Sequence, residues 1–288
     1  MNDESYIVNW KKAVPTPKGT RGRRFLRAVT LTALATIEKR KQNKFLRALY
    51  CHYVFDDQKE RFEEIITGLK KIGTFVNTET CLEMLSGKKE IDGQYLHLSF
   101  DDGFRNIFTN AVPILKRYNV PAIFFVPSQV IEANWQTTRD YCKLVDMTGV
   151  TEMVRWDELK EMANSGFEIG SHTRTHARFS TISKDPALLE NEIAGSKHDI
   201  ESRIGSECKY ISWPFGERSD ANALSLAMTK KAGYSACFGA YRGKINPQTS
   251  NRFSIPRHHF EVQSPLAHIN GFARGIWEGK DENYHPDL

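Results

Sequence analysis

The chain has 288 residues, 40% of them hydrophobic and 26% charged, with a formal net charge of +5. A mean hydropathy of -0.49 and the lack of any apolar stretch near the ~20 residues of a spanning helix argue against an integral helical membrane protein. The charge is too small for a nucleic-acid-binding body, and it is concentrated between Lys11 and Arg47, where only Glu38 opposes it.

Residues 1–20 are polar, with Pro15, Pro17 and Gly19, and read as a mobile arm. Residues 21–44 interleave Phe25, Leu26, Val29, Leu31, Leu34 and Ile37 with basic side chains, which predicts a basic amphipathic helix. Such a helix either packs on the exterior of the folded body or lies on an anionic membrane face. From residue 45 strand-like apolar runs alternate with helical patterns, the βα signature of a parallel sheet. The strands expected are 45–54, 74–76, 95–100, 122–126, 167–170, 210–213, 235–238 and 253–259. Between them fall a helix over 58–72 with Phe62, Ile65, Ile66 and Leu69 on one face, and a helix capped by Thr78 or Thr80 that ends near Gly87. Further helices follow over 106–118, 156–165, 187–203 and 221–231. No internal repeat or low-complexity tract interrupts the pattern. It describes one α/β domain over residues 45–288 behind a basic arm over 1–44.

Five scattered cysteines without CxxC spacing read as reduced core thiols. The chain opens without the charged, apolar and small-residue regions of a secretory signal. The expectation is therefore a cytoplasmic protein, peripheral at the inner membrane face.

Two strand ends carry the chemistry. Strand 95–100 runs into Asp101-Asp102-Gly103, and strand 167–170 runs into Ser171-His172, with His176 four residues on. In a β/α barrel the strand C-termini converge on one rim, so both motifs deliver side chains to the same place. Adjacent buried carboxylates repel one another, and binding a metal through one relieves this while leaving the other to accept a proton. His172 and His176 share one side of a helical turn in this reading, at a spacing used by two-histidine metal sites. Gly103 permits a sharp turn after the acidic pair, and Gly170 is expected to do the same before the histidines. Asp56-Asp57 also follows an apolar run but precedes a helix directly, and reads as a helix N-cap. His52 is a minor substrate-contact candidate, His97 a hydrogen-bonded core residue, and His198 and His285 surface residues.

These motifs, in this order over roughly residues 45–275, resemble the polysaccharide deacetylases, the NodB-homology carbohydrate esterases. The resemblance implies a distorted (β/α) barrel of about seven parallel strands. It implies Asp101 as general base, with Asp102, His172 and His176 holding a divalent metal, zinc for preference. Trp156-Asp157-Glu158-Leu159 resembles the helix before the two-histidine motif. Ser212-Trp213-Pro214-Phe215-Gly216 departs from the Arg-x-Pro-Tyr pattern of many members and resembles the variant of bacterial cell-surface polysaccharide and O-antigen enzymes. There Trp213, Pro214 and Phe215 would wall the sugar pocket, with a backbone N–H beside Pro214 facing the oxyanion. The missing arginine would come from Arg257, in a segment that matches the variant's Leu-Pro-Arg, the alternative being that Arg257 forms a surface ion pair. The general acid has three candidates: His259, His258 and His268. Period-two alternation sets His259 beside Arg257 and turns His258 away, and Leu266-Ala267-His268 reads as helix, so His259 is preferred.

The implied reaction is removal of an N-acetyl group from an amino sugar in a cell-surface polysaccharide or O-antigen precursor, lipid- or nucleotide-linked. The same residues would serve an O-acetyl esterase or a non-sugar amidohydrolase. A non-catalytic glycan-binding barrel is the third possibility.

Overall fold

The computed structural model describes residues 5–13, 44–247 and 250–275. The predicted helix over 21–44 lies outside them, apart from Lys44. The described chain runs α1 (Trp10–Ala13), β1 (Phe45–Cys51), α2 (Lys59–Lys70), β2 (Thr74–Phe75), α3 (Thr78–Leu85), β3 (Gln94–Phe100), α4 (Val112–Arg117), β4 (Ile123–Val126) and α5 (Trp135–Leu144). It continues through α6 (Trp156–Asn164), β5 (Glu168–Ser171), α7 (Phe179–Ile182), α8 (Pro186–Ile204), β6 (Tyr210–Ser212), α9 (Ala223–Lys231), β7 (Ala236–Phe238), β8 (His258–His259) and α10 (Leu266–Ala273).

Seven strands pair side by side in the order β7-β6-β5-β4-β3-β1-β8, and β2 adds to β3. Every pairing between these strands is parallel. The predicted final strand over 253–259 is split between two neighbours. Residues around Ile255 bond to β7 through the Phe238↔Ile255 bridge, whereas His258 and His259 pair with Leu49 and Tyr50 of β1. This one segment ties the two ends of the sheet together and curls it into a distorted barrel.

Burial explains why the strands read as continuous apolar runs. Strand β1, FLRALYC, is buried at all seven positions, as expected of parallel strands covered on both faces. Inside the barrel, Leu46, Ala48, Ile123, Phe125, Phe238 and Ile255 form one cluster, with Val76, Cys81 and Met84 below. A larger cluster lies between sheet and helices, where Phe62, Ile66 and Leu69 of α2 meet Leu96, Leu98 and Phe100 of β3. Gly170 does not turn the chain. It sits within β5 where an added Cβ would lie 2.5 Å from Phe125 Cδ1, so the glycine makes room for the phenyl ring in the barrel. All five cysteines are buried and free.

Two further expectations fail locally. The cap of α3 is Asn77, whose side chain accepts from the Thr80 N–H, while Thr78 turns inward to His97 and Glu168. Asp56 and Asp57 do not cap α2. Asp57 accepts from the Trp10 backbone N–H, and Asp56 from the Asn110 side chain. The first of these contacts belongs to a wider one. Residues 5–13, expected to be part of a mobile arm, are packed on the body. Ile7 N–H donates to Val150, Asp56 N–H to Val8 and Thr148 N–H to Ala13, which is fully buried. No helix among the described residues is long and apolar enough to cross a membrane.

Candidate active site

The C-terminal ends of β1, β3, β5, β6 and β7 surround a cleft of about 390 Å³. Its lining includes Asp101, Asp102, His172, His176, Trp213, Phe215 and His259. One carboxylate oxygen of Asp102 and one nitrogen each of His172 and His176 lie within 4.8 Å of one another, and all three residues are buried. His176 Nε2 is 3.3 Å and His172 Nε2 3.7 Å from Asp102 Oδ1.

The two histidines are not on a helical turn. Residues 172–178 form a loop in which Thr173 and His176 take left-handed backbone conformations, with φ of 66° and 65°. Asp102 and Phe215 are also left-handed, at 74° and 62°. Non-glycine residues rarely adopt such angles, and they persist only where the surroundings hold them. Here the loop is pinned by side chains. The Thr173 hydroxyl accepts from His176 N–H, and the Ser171 hydroxyl accepts from Thr173 N–H.

The donor set fits a divalent metal. His172 Nδ1 lies 2.8 Å from the Ser212 carbonyl, which requires the proton there and leaves Nε2 as a lone pair facing Asp102. Burial pulls the His172 pKa down to about 4, against the opposing pull of Asp101 and Asp102, so the imidazole is neutral, as a ligand must be. Burial works to raise the Asp102 pKa, but His52, His176 and His172 together hold it below the ordinary carboxylate value. Tyr141, on α5, donates to Asp102 Oδ1 at 3.1 Å. Burial and the Asp102 charge keep that phenol far above its usual pKa, and therefore protonated. One carboxylate oxygen and two imidazoles suit zinc and its first-row neighbours, with coordination positions left open.

Asp101 is held differently. Arg257 grips it with two parallel bonds of 2.7 Å, and also donates to the Ser99 and Ser212 hydroxyls and the Gly239 carbonyl. Arg257 is fully buried, so it is not a surface ion pair. Its guanidinium lies 4.4 Å over the Tyr50 ring. Burial pushes the Asp101 pKa up, but the Arg257 charge and His172 prevail and leave it below the ordinary value.

Of the three general-acid candidates, His259 alone lines the cleft. Its ring lies 4.8 Å from His52 and 5.0 Å from Tyr50. His258 is fully buried and packs toward Phe272, and His268 sits on α10 away from the cleft lining. Burial, reinforced by His52, lowers the His259 pKa to about 3, so in the free pocket it is neutral. Trp213 and Phe215 form cleft wall, whereas Pro214 is buried behind them and is not among the lining residues. His97 bonds to Thr78 as a core residue should, and His198 is exposed.

Sequence reasoning missed several neighbours. Ser99 was legible, because it stands two residues before Asp101 on the same strand face. Tyr141 belongs to a helix that the pattern did not reveal, and nothing local marks it. Arg178 lies 3.7 Å over the Phe215 ring and pairs with Asp220, a contact between segments distant in sequence.

A polysaccharide deacetylase family model matches residues 88–237, just over half of the chain. A poly-beta-1,6-N-acetyl-D-glucosamine N-deacetylase of Staphylococcus aureus (strain MRSA252) is 29% identical over 168 residues, 56% of this chain and 52% of that protein. The chain spans about half the length of the curated relatives it matches. Among solved structures, IcaB from Ammonifex degensii superposes with a TM-score of 0.68 at 21% identity, covering 81% of this chain and 98% of that one. Streptococcus pyogenes deacetylase PplD, solved in complex with acetate, gives 0.62 at 17%, covering 79% and 97%. These likenesses extend the barrel beyond the matched segment, and the motifs Asp101-Asp102 and His172 to His176 fall inside it: the chain belongs to the polysaccharide deacetylase family.

Proposed function

We propose that this protein is a metal-dependent hydrolase that removes N-acetyl groups from amino sugars of a polysaccharide or its precursor. The observation that carries the reading is the single cleft in which three convergent metal-ligand atoms stand beside a separate, arginine-held carboxylate. The name of the Staphylococcus aureus relative supports an N-acetylglucosamine polymer as substrate.

Asp102, His172 and His176 would hold the cation, zinc for preference. When bound, it supplies Lewis acidity toward the acetyl carbonyl and lowers the pKa of water. The remaining work falls to the chain. Asp101, kept ionised by Arg257, takes the proton from the attacking water. Such general-base help is worth ~10²–10⁴ in rate. A backbone N–H beside Pro214 donates to the developing oxyanion. His259 hands a proton to the leaving amine. Being neutral in the free pocket, it must first take up the proton that Asp101 receives from the water, which negative charge developing on the substrate favours. Trp213 and Phe215 present aromatic faces to the sugar ring.

The test is acetate release from N-acetylglucosamine oligomers and from O-acetylated sugars, before and after chelation. N-selective release that is lost with chelator, restored by Zn²⁺ and nearly abolished by Asp101→Asn is expected. Undiminished release by Asp101→Asn refutes the assignment. O-selective release favours the esterase alternative.

The basic residues between Arg21 and Lys44 support a lipid-linked glycan precursor, as in O-antigen assembly, met at the anionic inner membrane face. Sedimentation with anionic vesicles should fall when residues 21–44 lose their basic side chains, and unchanged binding removes that part of the reading.

A further inference from the structure

We infer that helix α8 is a rack that sets the two-histidine loop in its ligand-ready shape before any metal arrives, with Glu192 as the positioning residue. The inference rests on the metal-site reading above. Glu192 touches neither the ligand atoms nor the cleft, and it lies sixteen residues beyond His176 on another element.

Glu192, Ser196 and Asp199 are spaced i, i+4 and i+7, so they share one face of α8. That face is turned onto the loop. Glu192 is a carboxylate only 3% exposed. One of its oxygens accepts the backbone N–H groups of Arg174 and Thr175, at 3.0 and 2.9 Å, and the other accepts the Thr175 hydroxyl at 2.8 Å. Ser196 Oγ lies 2.6 Å from Ser171 Oγ, the atom that accepts from Thr173 N–H. Asp199 takes two bonds from the Arg174 guanidinium, and Asn191 takes a third. Gly195 completes the fit. A Cβ there would stand 2.7 Å from Arg174 Cδ, so the arginine stem lies across the helix only because that position is bare.

The consequence is geometric. Arg174 and Thr175 lie between the left-handed Thr173 and the left-handed His176. In that stretch the backbone N–H groups point outward with no helical partners. A buried carboxylate accepting two adjacent N–H groups fixes the peptide planes between the ligands, and with them the separation of the His172 and His176 imidazoles. The Ser128 and Gln129 N–H groups hold the Thr173 and Arg174 carbonyls of the same planes from the other side, so without Glu192 each plane keeps one anchor of two, and the imidazoles must be drawn back into place each time a metal binds.

The experiment measures Zn²⁺ and Co²⁺ affinity of the full chain by titration, with Co²⁺ absorption reporting coordination geometry and denaturation of the metal-free protein reporting stability. Glu192→Ala is expected to weaken metal binding by about 10–100-fold, the range for lost outer contacts of metal sites, and to alter the Co²⁺ spectrum. Glu192→Gln, which keeps an acceptor for the two N–H groups, should lose less than about 10-fold, the floor of that range. Gly195→Ala leaves every ligand and Glu192 in place, and should also weaken binding by displacing Arg174. Wild-type affinity in either folded alanine variant overturns the inference while leaving the deacetylase reading standing. A wild-type chain that takes up neither metal overturns both.

Discussion

Replacing Arg257 by methionine leaves the Asp101 carboxylate buried without its counter-charge. Arg257 and Asp101 are 0% and 2% exposed and share two bonds of 2.7 Å, and three more bonds anchor the guanidinium to Gly239, Ser99 and Ser212. Removing one partner of such a pair costs about 3–5 kcal/mol, because the other charge stays desolvated. For a domain of this size that lowers Tm by about 6–20 °C, at about 2–4 °C per kcal/mol. The reasoning makes a sharper demand on the double variant. Asp101→Asn removes the charge that Arg257 compensates, so Arg257→Met in that background should cost less by at least ~1.5 kcal/mol, a coupling within the range for contacting residues. Urea denaturation of the metal-free wild type, both single variants and the double variant closes the cycle. Equal cost of Arg257→Met with and without Asp101 ionisable would refute the claim that charge compensation is what Arg257 supplies.

Three other outcomes are expected. His97 and His258 are buried, and burial, with Arg257 for His97 and with Arg47 and Arg242 for His258, lowers both pKa values from 6.5 to about 3. Folded values below the unfolded ones mean that stability is full above pH 6.5 and is lost as pH falls toward 3. The loss is about 2 kcal/mol per histidine between pH 6.5 and 5, and an equally steep acid limb in the His97→Gln/His258→Gln variant contradicts this. Tyr141→Phe removes a bond to Asp102 and should weaken Zn²⁺ binding about tenfold while lowering unfolding free energy by about 1.5–3 kcal/mol, the range for a bond to a charged group; unchanged affinity rules out the assigned role. Gly149→Ala would place a methyl 1.8 Å from Ile7 Cδ1, prying the N-terminal segment from the loop that carries Met147 of the cleft. Overpacking of about 1–3 kcal/mol should speed amide exchange at Ile7 and Thr148 on the order of 10- to 100-fold, and unchanged exchange shows that the segment is not held there.

Much of this was visible in one dimension. The βα alternation is legible because parallel strands covered on both faces must be largely apolar, as β4 is throughout and β1 is apart from Arg47. Asp101, Asp102, His172 and His176 are legible because they stand at strand ends, where a barrel gathers its chemistry. Period-two alternation placed Arg257 and His259 on the inner face and His258 on the outer, although the backbone there is strand only at its last two residues. The failures share a cause. The helical turn expected for His172 to His176 gave way to a left-handed loop because Glu192 on α8 and the Ser171 and Thr173 hydroxyls accept its backbone N–H groups. The freedom expected of residues 5–13 gave way to packing because their partners, Asp57, Thr148 and Val150, are distant in sequence.

The order of residues thus determined the alternation of layers, the chemical types brought to the rim and the strand ends that carry them, since each depends on neighbours within a few positions. Tertiary structure alone decided which phenol steadies Asp102, which carboxylate holds the two-histidine loop and what shape that loop takes between His172 and His176. Those choices depend on hydrogen bonds and burial between segments far apart along the chain, and no local pattern encodes them.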